Sequence, residues 1–234
     1  MILKRLAKIL NEIHNILLPK VCFGCNARLS SGENVLCTVC RHELPLTDYN
    51  YSDENPVDRI FYGRIPIKKA ASFLVFSKNG VVMNLLHHLK YKNQEQIGGF
   101  LGEWCGAEIK KEATLKEVDI VIPVPLHPRK QKKRGYNQVS LFAQKIARTI
   151  GSNYRDDILV RTVNTKTQTK KDRQKRWENI KDVFDLTNKT SINNKHILLV
   201  DDVITTGATL EACATALSKI DNVQISILSM AVVP

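Results

Sequence analysis

Long apolar runs are missing from this sequence: no stretch of about 18 uninterrupted apolar residues occurs, so nothing in it reads as a membrane-crossing helix. Aromatic residues are scarce, at 6%, and no ladder of aromatic rings interleaves with the basic runs. No G-x-x-x-x-G-K-[ST] occurs, which excludes a P-loop nucleotidase. No G-x-G-x-x-G follows a strand pattern, which argues against a dinucleotide fold. Acidic residues are too few to balance the basic ones: 35 − 23 leaves a formal charge of +12, and residues 127–148 hold no Asp or Glu at all. Such a balance favours anionic partners, namely nucleic acid, phosphorylated metabolites or an anionic membrane surface. Repeats and low-complexity segments are absent, and 43% hydrophobic residues over 234 positions suffice for an ordinary core. Ile2, Leu6, Ile9, Leu10, Ile13 and Leu17 share one helical face, and Pro19 closes the run. Charges interrupt that face where a secretory signal needs an unbroken apolar core, so it predicts a packed amphipathic helix in a cytoplasmic protein. The alternative sets Lys4, Arg5 and Lys8 against lipid headgroups.

Four of the six cysteines stand in two pairs, Cys22-x-x-Cys25 and Cys37-x-x-Cys40. Two tight turns of this kind can place four thiolates around one tetrahedral Zn²⁺, and Gly24 is expected to supply backbone freedom for the first turn. A redox dithiol and disulfides are the competing readings. With all four positions filled by sulfur, such a zinc would be structural. Cys105 and Cys213 stand singly in helical patterns and read as small buried hydrophobes.

The rest of the chain alternates strand and helix. Strands are expected at 70–76, 118–124, 158–160, 196–201 and 223–233. Helices are expected at 80–92 and 97–111, from Asn137 onward, and along the face marked by Leu210, Cys213, Ala214 and Leu217. This predicts an α/β fold with a mainly parallel sheet flanked by helices. The division expected is a helix plus four-cysteine module at 1–45, a linker or irregular extension at 46–69, and the α/β domain at 70–234.

Chemistry concentrates where the strongest strand ends. Thr205, Thr206, Gly207, Ala208 and Thr209 form a small-residue loop entering a helix, where N–H groups and hydroxyls can converge on a phosphate. Just before it, the carboxylates of Asp201 and Asp202 can bind vicinal hydroxyls or face a Mg²⁺ held by phosphates. A diol beside a phosphate describes a ribose 5-phosphate group.

This stretch resembles the phosphoribosyl-diphosphate-binding motif of type I phosphoribosyltransferases. Together with the cysteine pairs, His88-Leu-Lys-Tyr91, Pro123-Val-Pro-Leu-His-Pro128, Arg134-Gly-Tyr-Asn-Gln138 and Thr165, Gln168, Arg176, Asn179 and Phe184, the sequence resembles the ComF/GntX family over nearly its whole length. The resemblance implies a type I phosphoribosyltransferase-like fold with a small N-terminal zinc-ribbon-like module. It implies 5-phosphoribosyl 1-diphosphate bound with Mg²⁺, with Asp201 and Asp202 as the catalytic pair on the ribose hydroxyls and Thr205–Thr209 on the 5-phosphate. Pro125, Leu126 and His127 would form the pyrophosphate loop, and a flap from about Thr162 to Trp177 would close over the site. Lys132, Lys133 and Arg134, with Lys170, Lys171, Arg173 and Arg176 of the flap, would meet diphosphate or single-stranded DNA. Members of the ComF branch serve DNA uptake in natural transformation, which implies competence proteins as partners, while GntX relatives are linked to sugar-acid use. Two functions follow. One is transfer of phosphoribose to an unidentified nucleophile; the other is a DNA-binding competence protein that keeps the fold as a scaffold or ligand sensor. Neither an acceptor nor an oligomeric state is legible in the residues.

Overall fold

The computed structural model describes residues 19–49, 51–162 and 183–234. Its elements, in chain order, are α1 (Thr38–His42), α2 (Pro56–Phe61), β1 (Lys69–Val75), α3 (Val81–Tyr91), α4 (Gln96–Ile109), α5 (Ala113–Lys116), β2 (Ile120–Pro123), α6 (Pro128–Arg134), α7 (Ser140–Ile150), β3 (Asn153–Tyr154), β4 (Leu159–Arg161), β5 (Phe184–Leu186), β6 (His196–Ile204), α8 (Ala208–Leu217) and β7 (Gln224–Val232). Five strands form one sheet in the order β1-β7-β6-β2-β3, with every neighbouring pair parallel. β4 and β5 form a separate antiparallel ribbon. The predicted alternation of strands and helices is thus observed.

The central strand β6 is buried at every position except Val203, as its apolar, β-branched composition requires of a strand covered on both faces. Its side chains alternate between two cores. Leu198 and Val200 join one cluster, filled by α3, α4 and α7. Ile197 and Leu199 join the other, filled by α2, α8 and the β4–β5 ribbon. β7 divides the same way, with Leu228 and Met230 against Ile225 and Ile227. The strand also runs further than its sequence pattern indicates. Pairing continues to Val203 with Ala231 and Ile204 with Val232, so the acidic pair lies within β6 rather than at its end.

The segment at 46–69, expected as a linker or irregular extension, packs against β1 and β7. Val75 N–H donates to Pro45 O at 2.8 Å and Thr47 N–H to Phe73 O at 3.1 Å, covering the outer edge of β1. Tyr51 is buried and its hydroxyl donates to Ile227 O at 2.8 Å. Asn55 and Pro56, which look like turn residues in sequence, start α2: Asn55 caps it in a capping box with Asp58, and Pro56 opens its first turn. Asp58 in turn accepts Ala70 N–H and Lys69 Nζ, each at 2.7 Å. Cap chemistry and turn chemistry use the same residue types, so composition alone could not separate them.

The cysteine-bearing segment shares the first core. Cys22, Val35, Leu36, Cys40 and Leu44 are buried in the same cluster as α3 and α4. Arg41 lies over the rings of Trp104 and Phe100 at 5.1 and 5.9 Å, and Asn84 donates to Gly24 O at 2.7 Å. Cys105 and Cys213 are fully buried, as expected. The predicted helix at 2–17 lies outside the described residues, as does the flap beyond Thr162. Among the described residues no helix is long and apolar enough to cross a membrane.

Candidate functional site

Strand order locates the site. The chain leaves β2 through α7 toward β3 on one side, and leaves β6 through α8 toward β7 on the other. The gap between β2 and β6 is therefore the topological switch point, the position at which open α/β sheets bind ligands beyond their carboxyl ends. Val124 N–H donates to Val200 O at 2.8 Å, which holds the turn after β2 beside β6. The turn expected to take pyrophosphate and the loop expected to take phosphate thus face one crevice from two strands.

The acidic pair sits in this crevice, and both residues are buried. Asp202 N–H donates to Asp201 Oδ1 at 2.8 Å. Asp202 Oδ2 accepts Gln138 Nε2 at 2.7 Å and Lys90 Nζ at 2.9 Å. Arg134 donates to Gln138 Oε1, and Asn137 donates to Val124 O at 3.0 Å. Burial, and secondarily the charge of Asp202, push the Asp201 carboxyl up to about 8; Lys90 and Arg161 act in the opposite sense. Burial thus disfavours two full negative charges side by side on the pair.

Beyond β6, Thr205 and Thr206 are exposed and Gly207 turns the chain into α8 at φ +74°. Ala208 N–H points to Thr206 Oγ1 at 3.4 Å. α2 presses on this loop from below: a Cβ on Gly207 would stand 2.8 Å from Ile60 Cγ2 and 2.9 Å from Phe61 Cε1. Arg64 straps it. Its guanidinium donates to Thr206 O at 2.7 Å and Ile60 O at 2.9 Å, and forms an ion pair with Glu211 in the first turn of α8. That pairing neutralises an acid which would otherwise repel an anion at the helix N-terminus.

His127 caps α6 through Nδ1, which accepts Arg129 N–H at 3.2 Å. Burial and then the charges of Arg129, Arg161 and Lys130 hold its pKa below the usual histidine range. Pro125 and Leu126 lie half-buried in the same turn. The basic run that follows forms α6, placing Lys132, Lys133 and Arg134 in its last turn. Lys170, Lys171, Arg173 and Arg176 lie outside the described residues. The β4–β5 ribbon stands where the chain enters and leaves that segment.

The four paired cysteines converge. One ligand atom from each of Cys22, Cys25, Cys37 and Cys40 lies within 4.8 Å of the others. The Cys25–Cys37 separation is 3.7 Å, against S···S edges of about 3.8 Å in a tetrahedron with Zn–S bonds near 2.3 Å. Burial would raise the Cys22 thiol, but N–H groups of Cys37, Cys25 and Gly24 outweigh it and bring the pKa to about 7. The cluster can hold a metal ion and is consistent with zinc. Gly24 is needed here for a different reason from the one expected. It is not among the positive-φ residues, a place taken by Asn26 at φ 62°, and its missing side chain makes room for Cys40 Sγ at 3.0 Å and Val81 Cγ1 at 2.8 Å.

A row of rings starts at this cluster. Phe23 lies 5.1 Å from His88, His88 lies 6.2 Å from His87, and His87 lies 5.2 Å from the exposed Tyr91. The Arg134 guanidinium then sits 5.7 Å over Tyr91. A count of Phe, Trp and Tyr misses this row because half of its rings are imidazoles. Cavities of about 250 Å³, between β1 and α4, and 360 Å³, beside Arg41 and Trp104, open away from the acidic pair. The first is lined by the acids Asp48, Glu108 and Glu112 with no basic residue and the second by Arg41 and His42 with no acid, so neither sets opposite charges together as the crevice does.

Lys90, Gln138, Arg64 and Arg161 are the residues that the sequence left without a role. Lys90 and Gln138 stand inside quoted motifs, and only the fold brings them to Asp202.

Residues 139–231 match the model of the phosphoribosyl transferase domain family. Competence protein F of Haemophilus influenzae is 28% identical over 221 residues, covering 90% of this chain and 96% of that one. DNA utilization protein YhgH of Escherichia coli K12 is 26% identical over 216 residues, covering 86% and 92%. Competence protein ComFC of Bacillus subtilis is 26% identical over 198 residues, covering 85% and 78%. The resemblance to the ComF family holds, and the fold is the type I phosphoribosyltransferase-like one, with a cysteine cluster at its N-terminal side.

Proposed function

We propose that this homologue of competence protein F binds 5-phosphoribosyl 1-diphosphate with Mg²⁺ at the β2–β6 crevice and serves DNA uptake in natural transformation from the cytoplasm. The observation that carries the reading is the convergence, at the switch point, of a buried acidic pair, a small-residue loop entering α8 and a turn opening on a basic helix. In this reading Asp201 and Asp202 take the ribose hydroxyls. Thr205–Thr209 cradle the 5-phosphate, with partial positive charge from the start of α8. Pro125, Leu126 and His127 line the diphosphate side. Mg²⁺ supplies charge neutralisation on the diphosphate. The four thiols hold one structural Zn²⁺. Because that cluster shares its core with α3, the metal also steadies the helix that carries Lys90.

Calorimetric titration of phosphoribosyl diphosphate with Mg²⁺ into zinc-loaded protein tests the pocket. Saturable binding lost in Asp202→Asn is expected; unchanged affinity in that variant would overturn the assignment. Pyrophosphate release with a nucleophile present separates a transferase from a sensor.

The row from Phe23 to Tyr91, ending under Arg134, favours a second reading: a single-stranded-DNA-binding competence protein that keeps the pocket as a scaffold or sensor. Stacking on such rings is worth about 1–3 kcal/mol per base. Tyr91→Ala should therefore weaken oligonucleotide binding by about fivefold or more. Equal affinity would remove this reading's support.

A further inference from the structure

Asp202 is already provided with a cation. Lys90 reaches it from the last turn of α3, and the two side chains are only 22% and 12% exposed, so this is not a solvated surface pair. Gln138 donates to the same oxygen. The orientation of its amide is settled by chemistry, because the Arg134 guanidinium on its other side can only donate and the carboxylate can only accept. Burial raises the Asp201 carboxyl, and the Lys90 ammonium offsets the charge of Asp202 beside it. Divalent cations seek carboxylate oxygens with available lone pairs in a net negative field. Oδ2 of Asp202 has two donors already, one of them the Lys90 ammonium, which makes the local field less negative. The donor set does not fit a metal ion seated on the acidic pair. It does fit neutral hydroxyls, which can donate to the carboxylate of Asp202.

We propose that Lys90 is the resident cation of the acidic pair: a positioning residue that holds the Asp202 carboxylate aimed, so that the pair takes the cis-diol of a pentose 5-phosphate with no divalent ion on its carboxylates. The inference rests on the ribose-phosphate reading of the crevice and deepens it. Any Mg²⁺ then travels on a diphosphate and is not held by Asp201 or Asp202. A ligand without a diphosphate has no need of it.

Ribose 5-phosphate is the probe, because it has the diol and the phosphate but no diphosphate to carry the metal. Calorimetric titration compares wild type, Lys90→Met and Lys90→Arg in EDTA and in Mg²⁺. Wild type should bind equally in both. Lys90→Met leaves a buried carboxylate unpaired and should bind at least about tenfold more weakly in EDTA, with partial recovery in Mg²⁺. Lys90→Arg should retain most of the affinity. Wild-type binding that disappears in EDTA, or Lys90→Met binding like wild type, would overturn the proposal. A ligand-free measurement guards against misfolding of Lys90→Met. The ¹⁵Nζ resonance of a shielded Lys90 ammonium should be visible in wild type and lost in Asp202→Asn. Identical lysine Nζ spectra in the two proteins would count against the pair. If wild type binds neither ribose 5-phosphate nor phosphoribosyl diphosphate in either buffer, the site reading falls and this inference falls with it. Mg²⁺-dependent binding that ignores Lys90→Met overturns this inference and leaves the ribose-phosphate reading of the crevice standing.

Discussion

Gly207 rests against the ring of Phe61 so closely that a Cβ there would stand 2.9 Å from Cε1, and its backbone lies at φ +74°. The phosphate-side loop and α2 are therefore one packed unit, although 146 positions separate the two residues (207 − 61). A left-handed backbone costs a non-glycine residue about 1–3 kcal/mol, and the contact adds to it. Gly207→Ala should lower stability by about 2 kcal/mol in urea denaturation and weaken phosphoribosyl ligand binding. Wild-type values on both would mean that α2 does not set the loop.

Arg64 should tune anion affinity without contacting the anion. Arg64→Met releases Thr206 O and leaves Glu211 unpaired in the first turn of α8. A charge at a helix end is worth about 0.3–1 kcal/mol, so ligand affinity should fall by about two- to fivefold. Arg64→Met combined with Glu211→Gln should recover part of that loss. Affinity measured by titration at low salt decides it.

Asp201 makes a signed contribution to the pH dependence of stability. Its folded pKa is raised from 3.8 to about 8, so the folded chain binds a proton that the unfolded chain releases. That contribution is fully present below the unfolded pKa and is lost as pH rises through the folded one, a window of roughly pH 4 to 8. Asn at 201 still accepts the Asp202 N–H and has no proton to lose. Asp201→Asn should therefore gain on wild type steadily as pH climbs from 5 to 8 in parallel unfolding experiments. A constant difference would show that Asp201 is already ionised.

Metal removal should be felt outside the cysteine cluster. Cys22 and Cys40 lie in the same core as Leu85 and Leu89 of α3, and Asn84 ties that helix to Gly24. Chelation should expel one zinc per chain and speed amide exchange along Val81–Tyr91 as well as around the cysteines. Exchange changes confined to residues 20–44 would show that the cluster is mechanically separate.

The α/β alternation was legible because helical and strand periodicities are local, and the apolar runs at 118–124 and 196–201 had the composition of covered parallel strands. The cysteine pairs and the acidic pair with its loop were legible for the same reason, since their geometry is set within a few residues. α2 falls inside the stretch expected as a linker or irregular extension, because its cap Asn55 and its Pro56 are residue types that helix caps and turns share. The extra length of β6 was hidden because acids are poor strand residues, and β7 supplies the pairing that carries the strand through them.

By itself, the sequence determined the α/β alternation, where thiols can cluster, and that a carboxylate pair precedes an anion-suited loop, all consequences of spacing along one short stretch of backbone. Only the tertiary structure decided the state of that pair. Lys90 arrives from α3, Gln138 from the turn before α7, and Arg64 from beyond α2. They meet the β6 crevice because parallel strand order stacks distant segments side by side, and burial there changes what a carboxylate and an ammonium can do for one another.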